Sequence, residues 1–447
     1  MSRSCVLIFV CIHLLATPDA QLWNLLGRPE EGYSLEVLIG TPPQRFYVLV
    51  DTGSTNFAIA ASETPDTDVF FSPSNSSTFR PLDGEVSVTY TQGCWKGHLG
   101  SDVVQFPNMS APVVRCDISL IESSNNFYMK GAFWQGILGL GYPTIAQPNS
   151  NMVSWLEAVH MKNPNYSITF SLELCGAGSG PSFHIGSFQF LGDEKPFTST
   201  FSSPIIREWF YEISLVGIHV GNETIDLPCE EFNNDKTIID SGTTSLRLPN
   251  KVFQKLVQLL EAEVVIHGLS IPSEFWYQSK VLCGEVYSNM DNFPNLKLSV
   301  IQSESSYFIA ELSPHSYIRK VYDTSENPGH ENCYKFAVES SDTGTVLGVV
   351  LMEGLIVVFN QTNKTVYFNE SVCGPPVKLY GPFQTDTDLR KCSKFSNTGS
   401  PSALVITALV IGTLVVILLY IKGLWLWERC NTRRLRPSGS CETLVNE

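Results

Sequence analysis

No His-Glu-x-x-His, Gly-x-Ser-x-Gly, phosphate-cradling glycine loop or Cys-x-x-Cys occurs in the chain. Zinc-peptidase, serine-hydrolase, nucleotide-binding and dithiol-redox chemistry therefore lack the residue types they need at the spacing they need. Neither a cofactor nor a metal is expected, and the eight histidines read as surface or packing residues. Charge is sparse as well: 16% of the 447 residues are charged, and the formal net charge is −15. No long basic block precedes residue 422, which argues against nucleic acid as a partner. Apolar residues are plentiful at 43%, the composition of a globular chain long enough to bury a large core.

Two long apolar runs bracket the chain. Cys5 to Ala16 follows Arg3 and leads into small residues up to Ala20, the pattern of a secretory signal over residues 1–20. Residues 403–421 carry no charge, and about 20 apolar residues are needed to cross a bilayer. Tyr420, Trp425 and Trp427 stand where interfacial aromatics are expected, and Lys422, Arg429, Arg433, Arg434 and Arg436 follow. The reading is a single-pass type I membrane protein: a stalk rich in Ser, Asn, Thr, Gly and Pro over 393–402, a transmembrane helix over 403–421 and a cytosolic tail over 422–447.

Acceptor sequons begin at Asn75, Asn108, Asn165, Asn222, Asn360, Asn363 and Asn369, all on the side this topology places in the lumen. Of twelve cysteines, Cys5 and Cys11 leave with the signal and Cys430 and Cys441 lie in the tail. The remaining even number, in an oxidising compartment, reads as disulfides. The tail lacks an Asp-x-x-Leu-Leu sorting signal, leaving Golgi, endosome and plasma membrane open. Cys430 is either a palmitoylation site or a plain thiol.

Between these ends, short apolar or alternating runs broken by Gly, Pro, Asn and Asp indicate mostly β structure. Helical spacing stands out at Pro249 to Val264, where Val252, Phe253, Leu256, Leu259 and Leu260 recur at three and four residues, and again at Met152 to His160. A weak internal repeat is more informative. Tyr47-Val48-Leu49-Val50 runs into Asp51-Thr52-Gly53-Ser54, and Thr237-Ile238-Ile239 runs into Asp240-Ser241-Gly242-Thr243. Each is followed at long range by two apolar residues and a glycine, Ile137-Leu138-Gly139 and Val346-Leu347-Gly348. Two copies of one plan suggest two lobes, 21–200 and 201–392, with a cleft between them.

One Asp-Thr-Gly alone is as consistent with an ordinary turn as with a site. Two copies, each ending an apolar strand, would bring two carboxylates out of rigid elements, with the Ser54 and Thr243 hydroxyls three residues on to orient them. Adjacent carboxylates cannot both ionise cheaply, so one holds a proton while the other is charged. The charged one can take a proton from water that attacks a carbonyl, and the protonated one can stabilise the carbonyl oxygen. That chemistry predicts an acidic optimum.

The two Asp-Thr/Ser-Gly motifs, Val88-Thr89-Tyr90-Thr91-Gln92-Gly93 and Trp134-Gln135-Gly136-Ile137-Leu138-Gly139-Leu140 together resemble a pepsin-type aspartic protease. Asp51 to Ala58, Leu174-Cys175-Gly176-Ala177-Gly178, Asp240 to Pro249 and Leu351-Met352-Glu353-Gly354 resemble the membrane-anchored beta-secretases, a likeness covering about Leu22 to Cys392. The resemblance implies a mostly β, bilobal fold with Asp51 and Asp240 as a catalytic dyad at the floor of a cleft. It implies a flap carrying Tyr90, Thr91 and Gln92, with Trp95 placed to hydrogen-bond Tyr90, although Tyr90 could also be an ordinary strand aromatic. Arg247 matches an arginine lining the substrate cleft, where its fork would suit an acidic or amide side chain; a packing role is the alternative.

Three disulfides follow from the same resemblance: Cys175–Cys373, Cys229–Cys392 and Cys283–Cys333. Cys94 and Cys116 have no counterpart in that pattern, and a fourth bond between them is expected. Relatives carry a pro-segment, whereas here Gln21 to Gly27 already resembles the start of a mature enzyme, leaving little room for one. The expected substrates are polypeptides, juxtamembrane stretches of type I membrane proteins including amyloid-precursor-like ones. A receptor that keeps the fold without catalysis is the competing reading, and a damaged dyad would be its mark. A membrane-embedded protease is excluded because neither Asp51 nor Asp240 lies in the apolar span.

Overall fold

The computed structural model describes residues 24–393, apart from 29–30, 64–66, 92, 108, 129–131, 166, 177–183, 193–198, 285–288 and 322–332, together with Lys422. All of these but Lys422 belong to one compact unit ending at Lys394. The signal reading over 1–20 and the span over 403–421 lie outside the described residues, among which no helix is long and apolar enough to cross a membrane.

The fold is mostly β, as the short alternating runs require. Among the described residues, thirteen strands join in one sheet, and smaller sheets of six, five and three strands complete the unit. The large sheet draws on both halves of the chain, because the strand Leu355–Asn360 pairs with Thr169–Leu174. One continuous apolar core runs through both halves.

The sequence repeat is a structural one. The strand Gln44–Asp51 runs parallel to Gly136–Gly139, with Asp51 beside Gly139, and Gly136–Gly139 pairs antiparallel with Phe57–Ala60. In the second half Thr237–Ile239 runs parallel to Thr345–Leu347, which pairs antiparallel with Leu246–Pro249. A further parallel strand flanks each set: Val114–Asn125 beside Phe57–Ala60, and Val338–Ser341 beside Leu246–Pro249. The glycine closing each distant element is dictated by close approach. A Cβ on Gly139 would lie 2.4 Å from the Thr55 carbonyl carbon, and one on Gly348 2.2 Å from the Ser245 carbonyl oxygen. In both copies the loop after the aspartate presses its backbone against that glycine.

Helices form where the apolar spacing places them. Asn250–Ile266 starts after Pro249 and buries Val252, Phe253, Leu256, Val257, Leu260 and Val264. The sequence stripe had Leu259 in place of Val257; the helix turns Leu259 to the partly buried edge. The second helix is Trp155–Lys162, starting three residues later than Met152 because Ser154 and Glu157 form a reciprocal capping box there.

Cys175–Cys373, Cys229–Cys392 and Cys283–Cys333 are bonded. Cys94 and Cys116 are not, which corrects the expected fourth bond. They stand on adjacent antiparallel strands, but Cys94 faces Asn125 and Cys116 faces Asp102. Eight residues of register at roughly 3.3 Å each separate them, far beyond the roughly 7 Å that a disulfide spans. Cys116 is buried, and burial followed by the charge of Asp117 raises its thiol well above the ordinary range. Peptide mapping of denatured, non-reduced protein after alkylation is expected to find the three bonded pairs, with label on both Cys94 and Cys116. A bridged Cys94–Cys116 peptide would contradict the register.

Candidate active site

The two strands Gln44–Asp51 and Thr237–Ile239 deliver Asp51 and Asp240 to one place, and the residues after each aspartate lock the two turns to one another. The Thr52 hydroxyl donates to the Ile239 carbonyl at 2.9 Å and accepts from the Ser241 backbone N–H at 3.0 Å. The Ser241 hydroxyl donates to the Val50 carbonyl at 2.7 Å and accepts from the Thr52 backbone N–H at 3.1 Å. All four bonds are buried, where loss of a partner costs most.

Each carboxylate has the same donors. Asp51 Oδ1 accepts from the Gly53 N–H at 2.8 Å, and Oδ2 accepts from the Ser54 hydroxyl. Asp240 Oδ1 accepts from the Gly242 N–H at 2.8 Å, and Oδ2 from the Thr243 hydroxyl at 2.7 Å. Closeness is enforced by the glycines: a Cβ on Gly53 would sit 2.5 Å from the Asp240 carboxylate, and one on Gly242 2.4 Å from Asp51 Oδ1. Burial and then the Asp240 charge hold the Asp51 carboxyl well above the usual range, against the lowering bonds from Ser54 and Gly53. Asp51 is the deeper of the pair at 4% exposure, and Asp240 is partly exposed.

The carboxylates open into a cavity of ≈ 520 Å³. Its floor repeats the internal symmetry, since Leu49 and Ile238, Ile137 and Val346, and Gly53 and Gly242 all line it from equivalent positions. Above it the strands Arg80–Thr89 and Cys94–Gln105 form a hairpin whose tip closes by a 3.0 Å bond from the Tyr90 N–H to the Gly93 carbonyl. Gly93 has φ +81°, and a Cβ there would lie 2.2 Å from the Asn126 carbonyl oxygen, so the tip requires glycine. Tyr90 and Thr91 line the cavity, and Gln92 lies outside the described residues. Buried Trp95 donates from Nε1 to the Tyr90 hydroxyl at 3.4 Å, and Tyr90 stacks on Phe127 at 5.5 Å. Burial, then the Asp51 charge, raises the Tyr90 phenol, so it stays neutral in the cavity that it lines with the carboxylates.

The chain matches the family described as eukaryotic aspartyl protease over residues 32–371. It is 36% identical to a beta-secretase of Strongylocentrotus purpuratus over 456 residues, covering 94% of this chain and 84% of that protein. A cathepsin E of Cavia porcellus is 30% identical over 242 residues, 53% of this chain and 59% of its own. A gastricsin of Macaca fuscata fuscata is 27% identical over 349 residues, 76% of this chain and 84% of its own. This chain belongs to the eukaryotic aspartyl proteases.

As an aspartic-type endopeptidase the protease acts on polypeptides, and both carboxylates line its cleft. Arg247 lines that cleft but is ion-paired with Glu339 at 3.2 Å. Sequence reasoning missed Thr52 and Ser241 as cross-linking groups, although a hydroxyl residue after each aspartate was the available signal. It also missed Lys236, Phe127 and Phe210 in the lining, for which nothing in the linear pattern stands out.

The raised Asp51 carboxyl has a consequence for stability. Between the unfolded carboxylate value, near roughly 3.9, and the raised one, the folded state keeps a proton that the unfolded chain has lost. This contribution is full below the unfolded value and disappears as pH rises through the raised one. Asp51→Asn, neutral at every pH, is therefore expected to melt a few degrees above wild type at pH about 7, with the gap closing near pH 4. A gap that is pH-independent by calorimetry, or reversed, would contradict the raised carboxyl.

Proposed function

We propose that Asp51 and Asp240 cleave peptide bonds through a bound water. The reading is carried by one observation: two carboxylates with identical donor sets, locked side by side at the floor of a cleft. Asp51, deeper and beside a second negative charge, holds the proton. Asp240, more open, takes a proton from water, which attacks the scissile carbonyl. The Asp51 proton stabilises the developing oxyanion, and a proton then passes to the leaving amine. Ser54 and Thr243 keep each carboxylate in the plane this exchange needs, while Tyr90 and Thr91 cover the substrate and exclude water. Arg247 contributes to the wall that reads a substrate side chain.

The protease is further read as anchored by the apolar segment 403–421, with its cleft on the lumenal or extracellular side, in Golgi, endosome or plasma membrane. The uncharged length of that segment, the signal-like start and the likeness to a sea-urchin beta-secretase support this. On this reading the natural substrates are juxtamembrane stretches of type I membrane proteins carried on the same membrane and shed by the cut, amyloid-precursor-like proteins among them. Asn75, Asn165, Asn222 and Asn363 are exposed and suited to carry glycans; Asn108 lies outside the described residues. Asn360 accepts from the Asn363 N–H at 2.7 Å and Asn369 from the Ser199 hydroxyl at 2.8 Å, which makes these two poorer acceptors.

The test is cleavage of a peptide library by the purified full-length chain, wild type beside Asp240→Asn, from pH about 3.5 to 7.5 to span carboxylate titration. Acid-favoured cleavage that falls at least about a thousandfold in Asp240→Asn is expected. Equal cleavage by the variant would remove Asp240 from the mechanism.

A further inference from the structure

The strongly basic side chains around the cleft already have partners. Arg247, on the strand Leu246–Pro249, lines the cavity with Asp240 and Gly242, and Glu339 stands in register beside it on the parallel strand Val338–Ser341. Arg247 Nε lies 3.2 Å from Glu339 Oε2 without a directed hydrogen bond, so the contact is charge against charge. The Arg247 side chain is 17% exposed and that of Glu339 39%. Glu339 borders a small adjoining cavity, and Thr244 borders both, so the ion pair sits on the boundary between them. Arg319, in that second cavity, lies 2.6 Å from buried Glu353, and Lys236 lies over the rings of Trp209 and Phe210.

We propose that Glu339 sets the side-chain preference of the cleft beside Arg247: the pair takes a neutral amide, Asn or Gln, and rejects a carboxylate. The proposal rests on the reading of this cleft as the peptide-cleaving site. Arginine alone would favour an acidic side chain, because its fork matches a carboxylate. With Glu339 in register, an incoming Asp or Glu gains Arg247 only by facing a like charge, which is an element of rejection built into the site. An amide accepts from the guanidinium through its oxygen and donates to the carboxylate through its nitrogen, so it satisfies both members at once. The glutamate, not the arginine, decides the sign of the preference.

The test uses the full-length protease and a peptide that it cleaves, with each position in turn set to Ala, Asn or Asp, at the highest pH that retains activity. At one position kcat/KM for Asn is expected to exceed that for Asp by about fivefold, the scale of a partly exposed charge pair. Glu339→Gln is expected to erase or invert that ratio, and Glu339→Asp to restore it. A merely structural Glu339 would lower all three peptides together and leave the ratio unmoved, and that result overturns the proposal. An acidic preference in wild type that persists at every position overturns it as well. Cleavage of the parent peptide by Asp240→Asn at the wild-type rate would instead overturn the catalytic reading on which the proposal rests.

Discussion

Four buried hydrogen bonds between Thr52 and Ser241 and the opposite backbones carry the rest of the site. Each hydroxyl donates to a carbonyl of the other half and accepts from an N–H of the other half, so neither turn keeps its groups satisfied without its counterpart. The consequence is electrostatic. Two carboxylates that would separate in water are held together, and burial with the neighbouring Asp240 charge makes the deeper one, Asp51, the holder of the proton. The glycines are part of the same constraint, because any side chain at Gly53 or Gly242 would occupy the position of the opposite carboxylate.

Around this centre the two halves are joined a second time. The Tyr33 hydroxyl donates to Glu353 Oε1 at 2.7 Å and accepts from the Gly176 N–H at 2.8 Å, and Arg319 meets the other oxygen of Glu353 at 2.6 Å. A buried carboxylate so paired ties the strand Gly32–Ile39 to the second half and would be costly to break. The Cys175–Cys373 bond closes beside it, across 198 residues of chain. Walls joined in this way, with a hairpin carrying Tyr90 above them, suit a cleft that must hold a polypeptide and exclude water from it.

Most of this plan was legible because it is written twice. The repeated Asp-hydroxyl-Gly-hydroxyl pattern and the distant apolar-apolar-Gly element singled out Asp51, Asp240, Ser54 and Thr243, which the fold brings together, and the helix Asn250–Ile266 followed from apolar spacing and Pro249. What depends on register was not legible. Cys94 and Cys116 have a plausible spacing, but the hairpin turns between Gln105 and Val114, close to Cys116 and far from Cys94. The ion pair of Arg247 was hidden for the same reason, since its partner Glu339 arrives from a distant strand through parallel pairing. Thr52 and Ser241 show the converse: the residues were visible, and only the approach of the two halves reveals that each bonds to the other.

The central claim is that the carboxylates of Asp51 and Asp240, forced together, share one proton. Neutron diffraction from deuterium-exchanged crystals, at a pH where the enzyme is active, tests it most directly. One deuteron across the two carboxylates, associated with Asp51, is the expected result. Two bare carboxylates, or one deuteron on each, would contradict it.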